Sequence, residues 1–540
     1  MAMTSAISLL WPEGEAKQNL APEAAVFDDL HLQEIFAAVC APVPDFALAD
    51  WYHAFPGKSM VIRHRQAILR DLLQPSIRSA WTIFTQRMQT LRRQLGRAQK
   101  LYHDRQRQRV FLDAIGSYQT IFSSLADALT AAKPRSRALC TVLEGLIHEL
   151  QAPQRQEMHN TARELRQELD TMRYDLQISG SHVSLWRECL QRNVDEEIAH
   201  TFSRFLAAPS GEENAREEQE IGQMDLDPVQ ARVLDAIAEL FPELFARLAA
   251  FYQRWAQPNP QAATDTVPAL RIARYPFVFV PLLHWERELQ FYLAFLEFLS
   301  PLEATGLPSC VPELCEEEKH THADGAYDLA LAARLRQDQQ ENPVLNDIDL
   351  HGSERILLVS GPNQGGKTTY ARCFGQLHYL AGIGLPVPAQ QAQLFVCDAI
   401  YTHFERREDA ESERSKLEAD LLRLRHDLER ATPRSIFVLN ELFHSTTLDD
   451  ARFLSQELLK RLRHLDPLVL WVSFLDELSR CGADVVSILS MVDSKEEDKR
   501  TFRLLRKPAD GLAHALSLAR KYGLDYPQLL ARIAHASPSS

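Results

Sequence analysis

The clearest chemistry in this chain lies in Gly361-Pro-Asn-Gln-Gly-Gly-Lys-Thr368, which fits the spacing G-x-x-x-x-G-K-[ST]. Glycines placed this way let backbone N–H groups curl around a phosphate with no Cβ in the way. A lysine then neutralises the outer phosphate oxygens, the N-terminus of the following helix adds its dipole, and the threonine hydroxyl ligates Mg²⁺. On this reading Gly361, Pro362, Asn363, Gln364, Gly365, Gly366, Lys367, Thr368 and Thr369 bind ATP, with Lys367 on the β- and γ-phosphates and Thr368 on the metal. The flanks supply the required context. A strand-like run, Arg355-Ile-Leu-Leu-Val-Ser360, precedes the loop, and a helical pattern begins near Thr368. A chance glycine-rich turn would need neither.

An ATPase of this kind needs a second apolar strand ending in an acid, and the candidate is Ser435-Ile-Phe-Val-Leu-Asn-Glu441. Its metal-side position is Asn440. An amide oxygen can accept a hydrogen bond from a Mg²⁺-bound water but carries no charge, so metal affinity should fall relative to aspartate. Glu441 is placed to orient or deprotonate the attacking water as the catalytic residue. The bland alternative is a buried strand with a polar edge. His444, just beyond, either reaches the γ-phosphate or points to solvent.

These residues need a parallel sheet to hold them, and the texture beyond Asn346 provides one: short apolar runs (Ile356 to Val359, Ile436 to Leu439, Leu468 to Val472) alternate with helical patterns. Earlier in the chain the pattern is helical from near Phe27 to about 300, with Met88, Leu91, Leu95 and Tyr102 expected on one face. An alternation about Gly180, from Leu176 to Leu185, suggests a small hairpin. The acidic run from Glu212 to Asp227 reads as a linker or exposed helix edge, and a second break falls at Pro301 to Pro312. Residues 1–25 read as a flexible tail.

With 540 residues, 45% of them hydrophobic and 24% charged, the chain can bury a core without staples. Its net charge of -14 argues against a protein coated in positive charge, though local basic patches remain open. Eight cysteines without a paired pattern, and a start lacking a signal-peptide order, suggest a reducing, cytoplasmic setting. The longest apolar run, Tyr275 to Trp285, contains two prolines and a histidine, so no membrane span is expected. Nine basic residues between Arg78 and Arg109 face one acid, Asp104. They form either a solvated helix face or a phosphate-contacting patch, with Arg92, Arg93, Arg97 and Lys100 the candidates for DNA. Cys310, Cys315, His320 and His322 match no common zinc spacing and read as a linker. Trp51 and Trp81 read as core.

The C-terminal half resembles the ATPase domain of the MutS family. Gly361 to Tyr370 resembles the family's GPN-x-GGKST-[YF] loop, Ala381 to Ala389 its stretch ending G-x-F-V-P-A, and Asp398 to Thr402 its D-x-I-F-T strand. Ser415 to Leu421 lines up with the signature loop S-T-F-x-x-E-M, Asn440 to Asp450 with D-E-x-G-R-G-T-S-T-x-D, and Trp471 to Leu478 with F-A-T-H-Y-H-E-L. Leu512 to Ala519, followed by Gly523-Leu524, resembles the closing helix and turn. Three positions depart: the Mg²⁺ aspartate is Asn440, the γ-phosphate-sensing histidine is Phe474, and the residue after the signature serine is Lys416. Phe27 to Ile35 and Ile68 to Leu73 resemble the opening of the helical core and lever.

The resemblance implies a multidomain chain, with an all-α core and lever region followed by an ABC-type α/β P-loop ATPase domain. The divisions expected are 26–140 (core and lever), 141–308 (lever and clamp, with the hairpin) and 309–540 (ATPase). It implies ATP and Mg²⁺ as cofactors, a homodimer with Ser415 acting in trans, and duplex or branched DNA as partner in mismatch repair or related structure recognition, with slow turnover. Ahead of the helical core the family's mismatch-touching F-x-E motif has no counterpart that can be placed, so mismatch specificity is not carried over. A nucleotide-gated scaffold with a protein partner is the alternative that Asn440 and Phe474 suggest.

Overall fold

The computed structural model describes residues 7–15, 23–179, 182–187, 226, 228–257, 266–405, 413–444, 446–492 and 500–508. Most of the acidic run from Glu212 to Asp227, the closing block Leu512 to Ala519 and part of the expected tail over residues 1–25 lie outside them, but residues 7–15 correct the tail reading: Leu9 and Leu10 are fully buried, and Leu9 O accepts from Tyr292 Oη (2.6 Å). The chain divides into two compact units that interleave in sequence: Met1–Arg78 with Pro134–Val142 and His284–Ser540, and Ser79–Lys133 with Leu143–Leu283.

The second unit is built from helices. In helix Pro75–Ala98, Trp81, Phe84, Met88, Leu91 and Leu95 follow three- and four-residue spacing, and all are buried. Tyr102 does not share that face: it is 90% exposed. The helix ends at Ala98, where Lys100 N–H bonds back to Arg97 O (2.9 Å) and Leu101 N–H to Ala98 O (3.4 Å), so the tighter turn breaks the 3.6-residue register and buries Leu101 instead. Helix Asp104–Ala132 buries Phe111, Ile115, Tyr118, Phe122, Leu125 and Leu129 on one stripe. The hairpin is present as β1 (Tyr174–Ser179) and β2 (His182–Arg187), antiparallel, with Leu176 opposite Leu185.

The first unit contains two sheets. Their strands are β3 (Glu313–Cys315), β4 (Thr321–Ala326), β5 (Asn346–Leu350), β6 (Ile356–Ser360), β7 (Gln391–Phe395), β8 (Ile400–His403), β9 (Ile436–Asn440), β10 (Leu468–Val472), β11 (Val485–Val492) and β12 (Arg500–Arg506). The larger sheet runs β12-β11-β6-β10-β9-β8, parallel except for the edge strand β12. Every residue of β6, β9 and β10 is buried, as strands covered on both faces must be. Phe437, Leu439, Trp471, Leu458 and Leu459 form the core beneath helix Leu448–Leu465. Helix Lys367–Gly382 is buried nearly all round.

The smaller sheet, β3-β7-β4-β5, corrects the linker reading: Cys315 lies in β3 and His322 in β4, while Cys310 bridges to Val387. A three-residue strand paired across 80 positions leaves no local periodicity to detect. The break expected at Pro301 is also displaced, because helix Val280–Glu303 runs through that proline. Trp51 and Trp81 are buried as expected. Among the described residues no helix is long and apolar enough to cross a membrane.

Candidate nucleotide-binding site

Strand register brings the chemistry to one edge. Val472 pairs with both Val359 and Asn440, and Leu489 with Ser360, so β6, β9 and β10 end within a residue of one another at their C-terminal side, with β11 running on past them, at the edge where ligands of open α/β sheets sit. From that edge emerge the loop at Gly361, Glu441, Ser473 and Ser490.

The loop fits closely against β11. Gly361 has φ +123° and Gly366 φ +91°, conformations that favour glycine. A Cβ on Gly361 would lie 3.0 Å from Ser490 Cβ, and one on Gly365 would collide with Ser490 Oγ and sit 3.0 Å from Pro362 O. Ser490 Oγ donates to Gly365 O at 2.7 Å, holding the loop from the sheet side.

Lys367 opens the helix and folds its side chain back into the loop. Nζ donates to Gly361 O (3.0 Å), Pro362 O (3.2 Å) and Asn363 Oδ1 (3.3 Å), and lies 3.8 Å from Glu441 Oε1. Burial pushes its pKa below the ordinary lysine value, Arg500 pushes the same way, and Glu441 and Asp476 oppose them. Thr368 Oγ1 donates to Asn440 Oδ1 at 3.2 Å. A hydroxyl and an amide oxygen this close are the hard oxygen donors that Mg²⁺ takes, directly or through water. Glu441 follows with φ +54° and its N–H on Val472 O (3.0 Å), a turn that lifts the carboxylate off the strand end.

The loop and Glu441 line one cavity of about 860 Å³, whose opposite wall includes Tyr327, Asp328, Leu331, Asn346 and Phe502. Sequence reasoning missed that wall. Asn346 accepts from Leu504 N–H (2.7 Å) and donates to Phe502 O (3.1 Å), pinning β12 beside the loop, and no motif announces such a contact.

Asn440 and Glu441 also border a small pocket with Phe404, Asp420, Arg423 and His444. Behind it, His403 at the end of β8 lies 2.8 Å from Asp427 of helix Glu413–Arg430, and both are buried. Arg423 Nε donates to His403 Nδ1 (3.1 Å). Ser415 belongs to the same helix, but its side chain lies outside the described residues. His444 is exposed and meets the half-exposed Phe474 ring edge-on at 6.4 Å. The basic candidates sit in the helical unit. There Arg92 Nε is bound to Ala269 O (3.0 Å), while Arg93, Arg97 and Lys100 are exposed.

The site thus defines an α/β domain with a glycine loop turning into a buried helix at the C-terminal edge of a parallel sheet. Residues 357–532, about a third of the chain, match MutS domain V, and that domain belongs to the MutS family. It is similar to the DNA mismatch repair protein MutS of Brevibacillus brevis, 28% identical over 220 residues, covering 40% of this chain and 24% of that protein. It is 32% identical over 182 residues to the Endonuclease MutS2 of Gemmatimonas aurantiaca (33% of this chain, 22% of that protein). With the DNA mismatch repair protein Msh3 of Mus musculus it shares 28% identity over 231 residues (41% and 21%). The chain therefore spans less than a quarter of the length of these relatives.

Proposed function

We propose that the 860 Å³ cavity takes Mg-ATP and that its occupancy governs engagement of DNA, in mismatch repair or a related recognition of DNA structure. The observation that carries the reading is the 3.2 Å contact between Thr368 and Asn440, level with the lysine-bearing loop. It joins the helix start after the loop to the strand end that a nucleotide-hydrolysing site must bring beside it. Gly361 to Gly366 would wrap the phosphates, Lys367 would exchange its loop carbonyls for phosphate oxygens, and Thr368 with Asn440 would hold the metal. Bound Mg²⁺ supplies charge to the phosphates. Glu441, 3.8 Å from Lys367, positions the attacking water and accepts its proton. Two copies would close over the nucleotide, with Ser415 of one facing the loop of the other, and hydrolysis would reopen them. The names of the relatives support the DNA part.

A second reading is favoured by Asn440 and Phe474: a nucleotide-gated scaffold with little turnover whose partner is a protein. The deciding measurement is binding of homoduplex, mismatched and branched DNA with ATP, with ADP and without nucleotide, at two salt concentrations. Nucleotide-dependent binding supports the first reading. Absence of binding at both salt concentrations supports the second, and brisk turnover with indifference to every DNA defeats both.

A further inference from the structure

Seven of the nine basic residues between Arg78 and Arg109 separate into two groups once their partners are seen. Arg105 pairs with Asp235, Arg107 with Asp104 (2.8 Å), and Arg109 with Asp113 (3.1 Å) and Asp170 (2.9 Å). Arg87, Arg93, Arg97 and Lys100 are exposed and have no carboxylate partner among the described residues. They lie on or just beyond helix Pro75–Ala98, whose 24 residues include no acid at all. A merely solvated helical face normally interleaves both signs.

Their placement is directional. Arg87, Thr90, Gln94 and Arg97 recur at three, four and three residues, so they share one face, roughly 110° round the helix from the buried stripe of Trp81 to Leu95. Arg93 flanks them and donates to Thr90 Oγ1 at 3.1 Å. The face borders a groove of about 410 Å³ whose other side is Gly116, Ser117 and Thr120 of helix Asp104–Ala132, closed by Arg166, which Asp113 and its own backbone carbonyl hold in place. No carboxylate and no aromatic ring lines it. Its apolar lining is confined to Leu91 and Ile121, both buried in the helical core, whereas a protein-binding groove would offer exposed aromatic anchors. Unpaired guanidinium forks beside side-chain amides suit phosphate oxygens instead. Arg87 and Arg97 are ten residues, or about 15 Å, apart on the axis, which spans about four nucleotides of one strand.

We propose that this face, formed by Arg87, Arg93 and Arg97 with the groove beside them, binds the phosphodiester backbone of DNA. The assignment rests on the DNA reading above and names the surface that reading leaves open. Arg92 is not part of it, since its guanidinium is held by Ala269 O.

The test uses the full chain and a labelled duplex, with affinity followed across a salt series. Arg87→Gln/Arg93→Gln/Arg97→Gln should lower affinity at least tenfold at low salt and flatten the slope of log K against log salt by about 2 to 3, near 0.9 for each lost phosphate contact. The triple lysine variant should restore most of the slope, separating charge from misfolding. A charge-matched control, Arg425→Gln/Arg452→Gln/Lys460→Gln, removes cations already paired with Glu429, Glu477 and Glu457 and should leave the slope unchanged. If wild type binds DNA and the glutamine variant keeps its slope, the face is idle and the proposal fails while the DNA reading stands. If wild type binds no nucleic acid, the DNA reading fails and takes the assignment with it. Binding of poly-glutamate through these arginines, without DNA, would give the face to an acidic protein and overturn the proposal.

Discussion

The loop after β6 and the strand ends after β9 and β10 share one edge of one sheet, yet they have fared differently. The first keeps every element that phosphate binding asks for: glycines packed on Ser490, a buried lysine and a hydroxyl at the helix start. The second keeps Glu441 but has Asn440 where charge would hold the metal and an exposed Phe474 where a histidine is expected from the family resemblance. On the proposed function, binding and turnover would draw on separate strands, so one can be weakened without the other.

That contrast can be broken experimentally. Glu441→Gln should reduce ATP turnover by about 10² to 10⁴-fold and leave nucleotide affinity within a few fold, read by steady-state rate and equilibrium binding. A parallel loss of affinity would mean that the two halves are one. Lys367→Ala should weaken ATP binding about 10² to 10³-fold, because several charge-assisted bonds disappear together. Retained tight binding would place the nucleotide elsewhere. Gly365→Ala should cost roughly tenfold in affinity, as the new methyl group meets Ser490 Oγ, and Gly365→Ala/Ser490→Gly should recover part of it. No recovery would show that Pro362 O, also 3.0 Å from that Cβ, is the harder obstacle.

Two substitutions sharpen the comparison instead. Asn440→Asp should raise turnover by up to about tenfold and lower the Mg²⁺ concentration needed, since a charged acceptor bonds roughly twice as strongly as a neutral one. No change would mean that Thr368 and the phosphates carry the metal alone. Phe474→His should have the smallest effect, a few-fold rise in turnover, because the ring stands half-exposed against His444 and no buried packing depends on it.

How much of this was legible follows from range. The loop, Asn440 and Glu441 announce themselves because phosphate and metal chemistry demand fixed types at fixed local spacing, and the buried strands β6, β9 and β10 show as unbroken apolar runs. The β1–β2 hairpin was legible for the same reason: its pairing is local and its alternation has period two. What escaped was held by distant partners. Ser490 touches a loop 125 residues away, and Asn346 fixes β12 across 158 residues. Tyr102 does not follow the stripe because the helix ends at Ala98, and Gly96, inside its last turn, is too weak a marker of that end. The basic run was visible, but only its ion pairs show which arginines are spoken for.

The buried His403–Asp427 pair has a mechanical consequence. It pins helix Glu413–Arg430 to β8 near one end, while Ser415 rides twelve residues away, about 18 Å along a rigid rod. A tilt of about 10° about that pivot would carry Ser415 through about 3 Å, the length of a hydrogen bond. Leu417 and Leu421, which pack against the sheet core between those two points, resist that tilt, so the position of Ser415 relative to the strand end at Asn440 and Glu441 is set by how that side of the helix seats.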